Sequence, residues 1–166
     1  SLFLDRFSDT DLSFTDSLYE LGMILLSEIG GSMGPIYGTF FIDMANKGTP
    51  EEEITTEVFA KMLEASRDGL HEIIEARVGD KTLMDTLEPA VQALKAAVDA
   101  GESFPNALEA MRRSAELGME STENMIANYG RSSRIGERSR GVLDAGATSC
   151  YLILTAFARG ITEIDS

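Results

Sequence analysis

Arginine side chains crowd one short stretch of an otherwise acidic chain. Residues 130–141 (GRSSRIGERSRG), here called the arginine loop, hold four arginines and one glutamate in a protein of net charge −14. The planar guanidinium group binds phosphate or carboxylate through two parallel hydrogen bonds. Serines add short donors, and glycines let the backbone approach a ligand closely. The stretch is typical of a clamp on phosphate groups, and a solvated basic loop is the alternative.

Three turns rich in glycine, serine and threonine each lead into a predicted helix. They are residues 30–34 (GGSMG), 79–82 (GDKT) and 144–148 (DAGAT). The free N–H groups of a helix N-terminus favour anions, and helices that run up and down can gather such turns at one end of a bundle. The sequence therefore predicts that the three turns and the arginine loop share one nucleotide phosphate site.

Single residues beside these turns have two possible roles each. Met33 and Leu83 could pack on an adenine face or in the core, whereas core packing is favoured for Met84. Asp144 could orient Arg131, or bind a ribose or a metal-bound water, or cap the last helix, and these roles can coexist.

Other chemistry has weaker support. Asp5, Asp9 and Asp11 could hold a hard cation, but their spacing matches no calcium loop. The one cysteine, Cys150, lies in an apolar segment, which predicts a buried inert thiol in a reducing cytosol. The one histidine, His71, lies in a helical pattern, so a Ser-His-Asp triad and histidine metal chemistry are disfavoured.

Length and composition restrict the classes of protein to which this chain can belong. The 166 residues, 43% of them hydrophobic and 25% charged, fit one domain over 1–166 with a real core. A pI near 4.4 argues against non-specific binding of nucleic acid. No apolar run approaches the ~18 residues of a membrane span. We therefore expect a cytoplasmic protein that binds neither nucleic acid nor membrane.

Apolar residues recur at three- and four-residue spacing, so the sequence predicts an all-α fold. Residues 1–7 look like the end of a helix, and 8–11 like a polar loop. Pro35 suits the first position of one helix, Thr49–Glu52 form a capping pattern for the next, and Pro89 predicts a kink. Full helices are predicted at about 18–29, 32–47, 53–75, 83–100, 106–128 and 147–161.

Taken together, three motifs resemble a known family. They are GGSMGPIYGTFF (30–41), GDKTLMD (79–85) and GRSSRIGERSRGVLDAGATS (130–149). They resemble the nucleotide-binding L subunit of phosphoenolpyruvate-dependent dihydroxyacetone kinase, a domain that also forms the C-terminal half of ATP-dependent dihydroxyacetone kinases. The resemblance implies an eight-helix, antiparallel, barrel-like bundle with ADP or ATP at one end.

The resemblance also implies site residues. It gives nucleotide-binding roles to Ser32, Met33, Leu83, Arg131, Asp144, Ala145 and Gly146. In this assignment the first turn contacts phosphate or ribose, Leu83 packs near the adenine, Arg131 reaches the phosphates, and the last three residues border the nucleotide. No nucleophile or base is implied, because phosphoryl transfer depends mostly on positioning and charge stabilisation.

Two partners follow from the resemblance. A K subunit would hold dihydroxyacetone covalently on its own histidine, and an M subunit of the sugar phosphotransferase system would rephosphorylate the ADP without its release. The substrate could be another small ketose, and the phosphoryl donor could be free ATP. The alternative function is a non-catalytic regulatory or scaffold relative that lacks the metal site.

The sequence departs from the family pattern in three places. The family's aspartate-rich metal loop, D-x-D-H-G-x-N-M, would precede Ser1, so the Mg²⁺ ligands and the N-terminal helix are expected upstream of this chain. Either the full gene product carries that loop, or the chain is a metal-less relative. The chain is also shorter than the family between Gly69 and Gly79, and the family's Asp-Pro-Gly is Asp-Ala-Gly at 144–146.

Overall fold

A computed structural model describes residues 13–49, 53–129 and 131–165, with the backbone alone at 131–132 and 164–165. These residues contain no strand, which confirms the all-α prediction, while the eight-helix count stays a prediction. The predicted helix end at 1–7 and the loop at 8–11 lie outside the described residues. The six described α-helices are α1 (Phe14–Glu28), α2 (Met33–Lys47), α3 (Thr56–Ile73), α4 (Met84–Asp99), α5 (Phe104–Ser121) and α6 (Ala145–Asp165).

The chain divides into two compact units, one up to Ile74 and one from Glu75 onward. The first contains α1 to α3, and the second contains α4 to α6 and the arginine loop. The expectation of a single domain over 1–166 stays a prediction. None of the helices within the described ranges is both long enough and apolar enough to cross a membrane.

Glycines bring the first two helices of the first unit into backbone contact. A methyl group at Gly22 would lie 2.8 Å from the carbonyl oxygen of Gly38, and one at Gly38 would lie 3.0 Å from that of Gly22. Helix α3 adds the buried side chain of Phe59, and its Ser66 Oγ donates to the carbonyl oxygen of Phe40 at 2.6 Å. The unit is therefore a tightly packed three-helix layer.

Helix starts in the first unit differ from the predicted ones. Pro35 is the third residue of α2 rather than the first, which costs no hydrogen bond because early helical N–H groups lack intrahelical partners. The predicted cap of α3 at Thr49 is wrong, since Thr55 Oγ1 accepts from the N–H of Val58 at 3.2 Å and the helix begins at Thr56. Residues 50–52 lie outside the described ranges.

The second unit is built on three helices around a fully buried apolar centre. Pro89 lies inside α4, as predicted, and has no N–H to give to the carbonyl oxygen of Asp85. The backbone of Gly118 on α5 lies directly against that carbonyl. The centre of the unit is filled by Leu87, Val91, Leu94, Leu108, Met111 and Leu154.

Helix α5 ends at Ser121, although the apolar spacing predicts that it continues to Asn128. Hydroxyl groups explain the early end, because Ser121 Oγ donates to Gly118 O and Thr122 Oγ1 donates to Met119 O, both at 2.6 Å. Such side-chain bonds compete with the helical ladder. A short 3₁₀ turn, Thr122–Asn124, follows.

The backbone of the arginine loop contains regular turns. Its backbone forms 3₁₀ turns over Arg131–Ser139, interrupted at Gly136, where φ is +53°. Only glycine adopts such a left-handed conformation readily. Helix α6 then begins at Ala145, two residues before the predicted start.

Candidate functional site

The turn before α4 is fastened by a buried carboxylate. Asp85, 1% exposed, accepts from the N–H of Gly79 at 2.6 Å and from the N–H of Thr82 at 2.8 Å. Thr82 Oγ1 in turn accepts from the N–H of Met84 at 3.1 Å. No role was predicted for Asp85, although the T-x-x-D spacing of residues 82–85 is a reciprocal capping pattern that indicates one.

Asp144 caps α6, as one of its predicted roles requires. Its Oδ2 accepts from the N–H of Ala147 at 2.8 Å, and its own N–H donates to Thr122 Oγ1 at 3.0 Å. Burial raises the pKa of the Asp144 carboxyl, and the nearby Asp85 adds to this, while helix N–H groups and Lys81 oppose it. Contact of Asp144 with a nucleotide stays a prediction.

The starts of α4 and α6 lie side by side. A methyl group at Gly146 would lie 3.5 Å from the backbone nitrogen of Leu83 and 3.6 Å from its Cβ. Thr86 Oγ1 donates to the carbonyl oxygen of Ala147 at 2.8 Å. Four of the predicted nucleotide-binding residues therefore share one neighbourhood, with Leu83 buried and Ala145 exposed. They are Leu83, Asp144, Ala145 and Gly146.

A buried lysine joins the turn before α4 to the arginine loop. Lys81 is 2% exposed, and its Nζ donates to the carbonyl oxygens of Met125 at 3.3 Å, Val142 at 2.6 Å, and Ser139. Ser139 makes a second long-range contact, because its Oγ accepts from the N–H of Ala127 at 2.8 Å. The sequence offered no local signal for this network, because its members are far apart in the chain.

Most described arginines of the loop lie in solvent. Arg134 and Arg138 are exposed, and Arg140 pairs with the exposed carboxylate of Glu137 at 3.3 Å. Such a surface pair stabilises a protein little, so it leaves the guanidinium group available to a stronger anion. The side chain of Arg131 lies outside the description, and its contact with phosphate stays a prediction.

The predicted residues of the first turn belong to the first unit. Ser32 is exposed and stands at the N-cap of α2 without a side-chain cap bond, and Met33 is 39% exposed. The turn is tight, because a methyl group at Gly34 would overlap the carbonyl oxygen of Ile29 and lie 2.8 Å from that of Leu25. The convergence of this turn with the other two stays a prediction.

Metal and thiol chemistry have little basis in the described part of the chain. Its residues contain no group of three or more His, Cys, Asp or Glu side chains placed to hold a metal ion. Asp5, Asp9 and Asp11 lie outside the described ranges. Cys150 is fully buried, and burial raises the pKa of its thiol to about 12, which confirms the predicted inert thiol.

Fold and site define an all-α domain with two helix N-termini beside a basic loop. Residues 4–159 match the DAK2 domain, and the chain belongs to that family. It is 38% identical over 160 residues to the ADP-binding subunit DhaL of the PEP-dependent dihydroxyacetone kinase of Escherichia coli, covering 96% of this chain and 75% of that protein.

Two further relatives extend the comparison. The chain is 35% identical over 151 residues to the ADP-binding subunit DhaL of PEP-dependent dihydroxyacetone kinase 1 of Listeria innocua, covering 91% of this chain and 69% of that protein. It is 31% identical over 139 residues to human triokinase/FMN cyclase, covering 84% of this chain and 24% of that protein. The resemblance that the three motifs predicted is confirmed.

Proposed function

We propose that this chain is the ADP-binding subunit of a dihydroxyacetone kinase. It carries an adenine nucleotide whose phosphoryl group passes to dihydroxyacetone. The observation that carries the proposal is the 38% identity, over 96% of the chain, to an Escherichia coli protein named as such a subunit. The arrangement of the second unit supports it through the chemistry that a nucleotide diphosphate requires.

A diphosphate needs N–H donors and positive charge that are in place before it binds. The adjacent starts of α4 and α6 offer the backbone N–H groups of Leu83 and Ala145, whereas the N–H groups of Met84 and Gly146 bind Thr82 Oγ1 and the Asp144 carboxylate. The exposed guanidinium groups of Arg134 and Arg138 lie in the loop that is fastened to the same turn. Asp85 and Asp144 hold the two helix starts in place rather than reacting.

The bound nucleotide supplies the phosphoryl group, and the residues of this chain bind and orient it. We propose a K subunit that carries dihydroxyacetone as the acceptor partner, and an M subunit of the phosphotransferase system as the donor partner, in the cytoplasm. Magnesium belongs to the proposal as the cation that accompanies the phosphates.

The proposal is tested by ADP binding and by turnover. Calorimetry with magnesium should show ADP binding, and Arg131→Ala should weaken it by about 1.5–3 kcal/mol if this side chain bonds to phosphate. Arg113→Ala, which removes an exposed arginine from α5, is the matched control and should leave the affinity unchanged. Equal ADP affinity in both variants would remove Arg131 from the site.

Turnover separates the two candidate functions. With K and M partners, phosphoenolpyruvate and dihydroxyacetone, the kinase subunit forms dihydroxyacetone phosphate. A regulatory or scaffold relative binds ADP but forms no ketose phosphate. The names of the relatives favour the kinase, and absence of product with partners of verified activity would overturn it.

A further inference from the structure

We infer that Lys81 is a positioning residue that holds the arginine loop in its phosphate-binding conformation. The inference rests on the proposed function and names a residue to which neither the motifs nor the family match gives a role. It follows from where the ammonium group of Lys81 lies and from what it joins.

The Lys81 ammonium group bridges both ends of the arginine loop. Its three acceptors are the carbonyl oxygens of Met125, before the loop, Ser139, within it, and Val142, just after it. An ammonium group has three donors, so these bonds use its full capacity. One side chain on the turn before α4 therefore fixes a segment 44 to 61 residues further along the chain.

The Lys81 ammonium group is buried, so its charge needs hydrogen-bond partners. A buried charge is tolerated only when it is well paired or well hydrogen-bonded, and carbonyl dipoles meet that need here. The backbone of Lys81 also has a φ of +62°, a left-handed conformation that a lysine adopts rarely. The turn thus holds an unfavourable backbone conformation at the residue whose side chain reaches the loop.

Removal of the ammonium group leaves the loop weakly held. The buried Ser139 carbonyl and the part-buried Met125 and Val142 carbonyls then lose this donor. Described bonds that still hold the loop include the Ser139 Oγ bond to Ala127 and the bond from the N–H of Gly141 to the Glu123 carbonyl oxygen at 2.7 Å. A loop that is free to sample other conformations must be ordered again when a phosphate binds, which weakens affinity.

Lys81→Met in the full chain tests the inference with two readouts. Tryptic cleavage after Arg134, Arg138 and Arg140 reports the mobility of the loop without any nucleotide, and calorimetry reports ADP affinity. We expect cleavage in the loop to be faster by ~10-fold and ADP affinity to be lower by ~10-fold or more, the factor for one strong hydrogen bond. Lys81→Gln, which keeps a donor, is the milder variant if Lys81→Met does not fold.

Two controls separate positioning from general destabilisation. Lys61→Met makes the same change at an exposed lysine and should alter neither readout. Ser66→Ala removes a buried hydrogen bond in the first unit and should lower stability without faster cleavage in the loop.

Three outcomes decide the matter. Selective cleavage in the loop with weaker ADP binding supports the inference. Unchanged cleavage and affinity in a folded variant overturn it, and so does cleavage that rises equally at arginines outside the loop. If the wild-type protein binds no ADP, the proposed function fails, while selective cleavage would still show that Lys81 holds the loop.

Discussion

Gly118→Ala tests whether the packing of α5 against α4 holds the candidate site in place. Gly118 on α5 lies against the carbonyl oxygen of Asp85, which has no helical partner because Pro89 lacks an N–H. An added methyl group would overlap that oxygen and lie 3.3 Å from Pro89 Cγ. The neighbour is backbone, so α4 and α5 must move apart, and the carboxylate that fastens residues 79–82 belongs to the residue that is displaced.

The magnitude follows from two opposing effects. Alanine is favoured over glycine inside a helix by about 1 kcal/mol, whereas overpacking of a filled interior costs about 1–3 kcal/mol. A rigid backbone neighbour places the cost at the upper end, so we expect Gly118→Ala to lower the free energy of unfolding by about 1–2 kcal/mol.

Urea unfolding measures this change, and Gly160→Ala is the matched control. A methyl group at Gly160 in α6 would have no described atom within 4 Å, so this variant should gain up to about 1 kcal/mol from helix propensity alone. A Gly118→Ala protein as stable as the wild type would refute the packing that we describe between α4 and α5.

Three further predictions concern the start of α6. Asp144→Ala should lose about 1 kcal/mol of stability with the N-cap, while Asp144→Asn should keep the cap, as urea unfolding can show; equal losses would refute the capping role. The raised pKa of Asp144 means that the folded state binds more protons than the unfolded state between the ordinary value of 3.8 and the raised value. Wild-type stability should therefore fall relative to Asp144→Asn as pH rises through that window, and a rise would contradict the sign. Thr86→Val should cost about 0.5–1.5 kcal/mol, because a buried hydrogen bond to the Ala147 carbonyl is lost; an unchanged midpoint of urea unfolding would refute a stabilising role for this bond.

Local sequence rules predicted which segments form helices better than they predicted where those helices begin and end. Apolar spacing gave the positions of α1 to α6, but the end of α5 depends on the Thr122 hydroxyl, which bonds to Met119 and receives the N–H of Asp144. The second bond comes from 22 residues further along the chain. For α3, the Thr49–Glu52 capping pattern favoured Thr49, whereas the cap in the structure is Thr55.

The candidate site was predictable only in part. The three motifs identified the turns, and the structure brings Leu83 and Gly146 together as helix starts that share a neighbourhood. The roles of Asp85 and Lys81, which hold these helix starts and the arginine loop, were not predicted. Asp85 had a local capping signal that was overlooked, whereas the Lys81 bonds join residues too distant in sequence for any periodicity to indicate them.

Hydrogen exchange with and without ADP, read by mass spectrometry on the full chain with magnesium, tests the central claim most directly. The account predicts slower exchange at residues 79–86 and 131–147 when ADP is present, because the two helix starts and the arginine loop bind its phosphates. Saturating ADP that leaves both segments unprotected, or protects only segments elsewhere in the second unit, would contradict it.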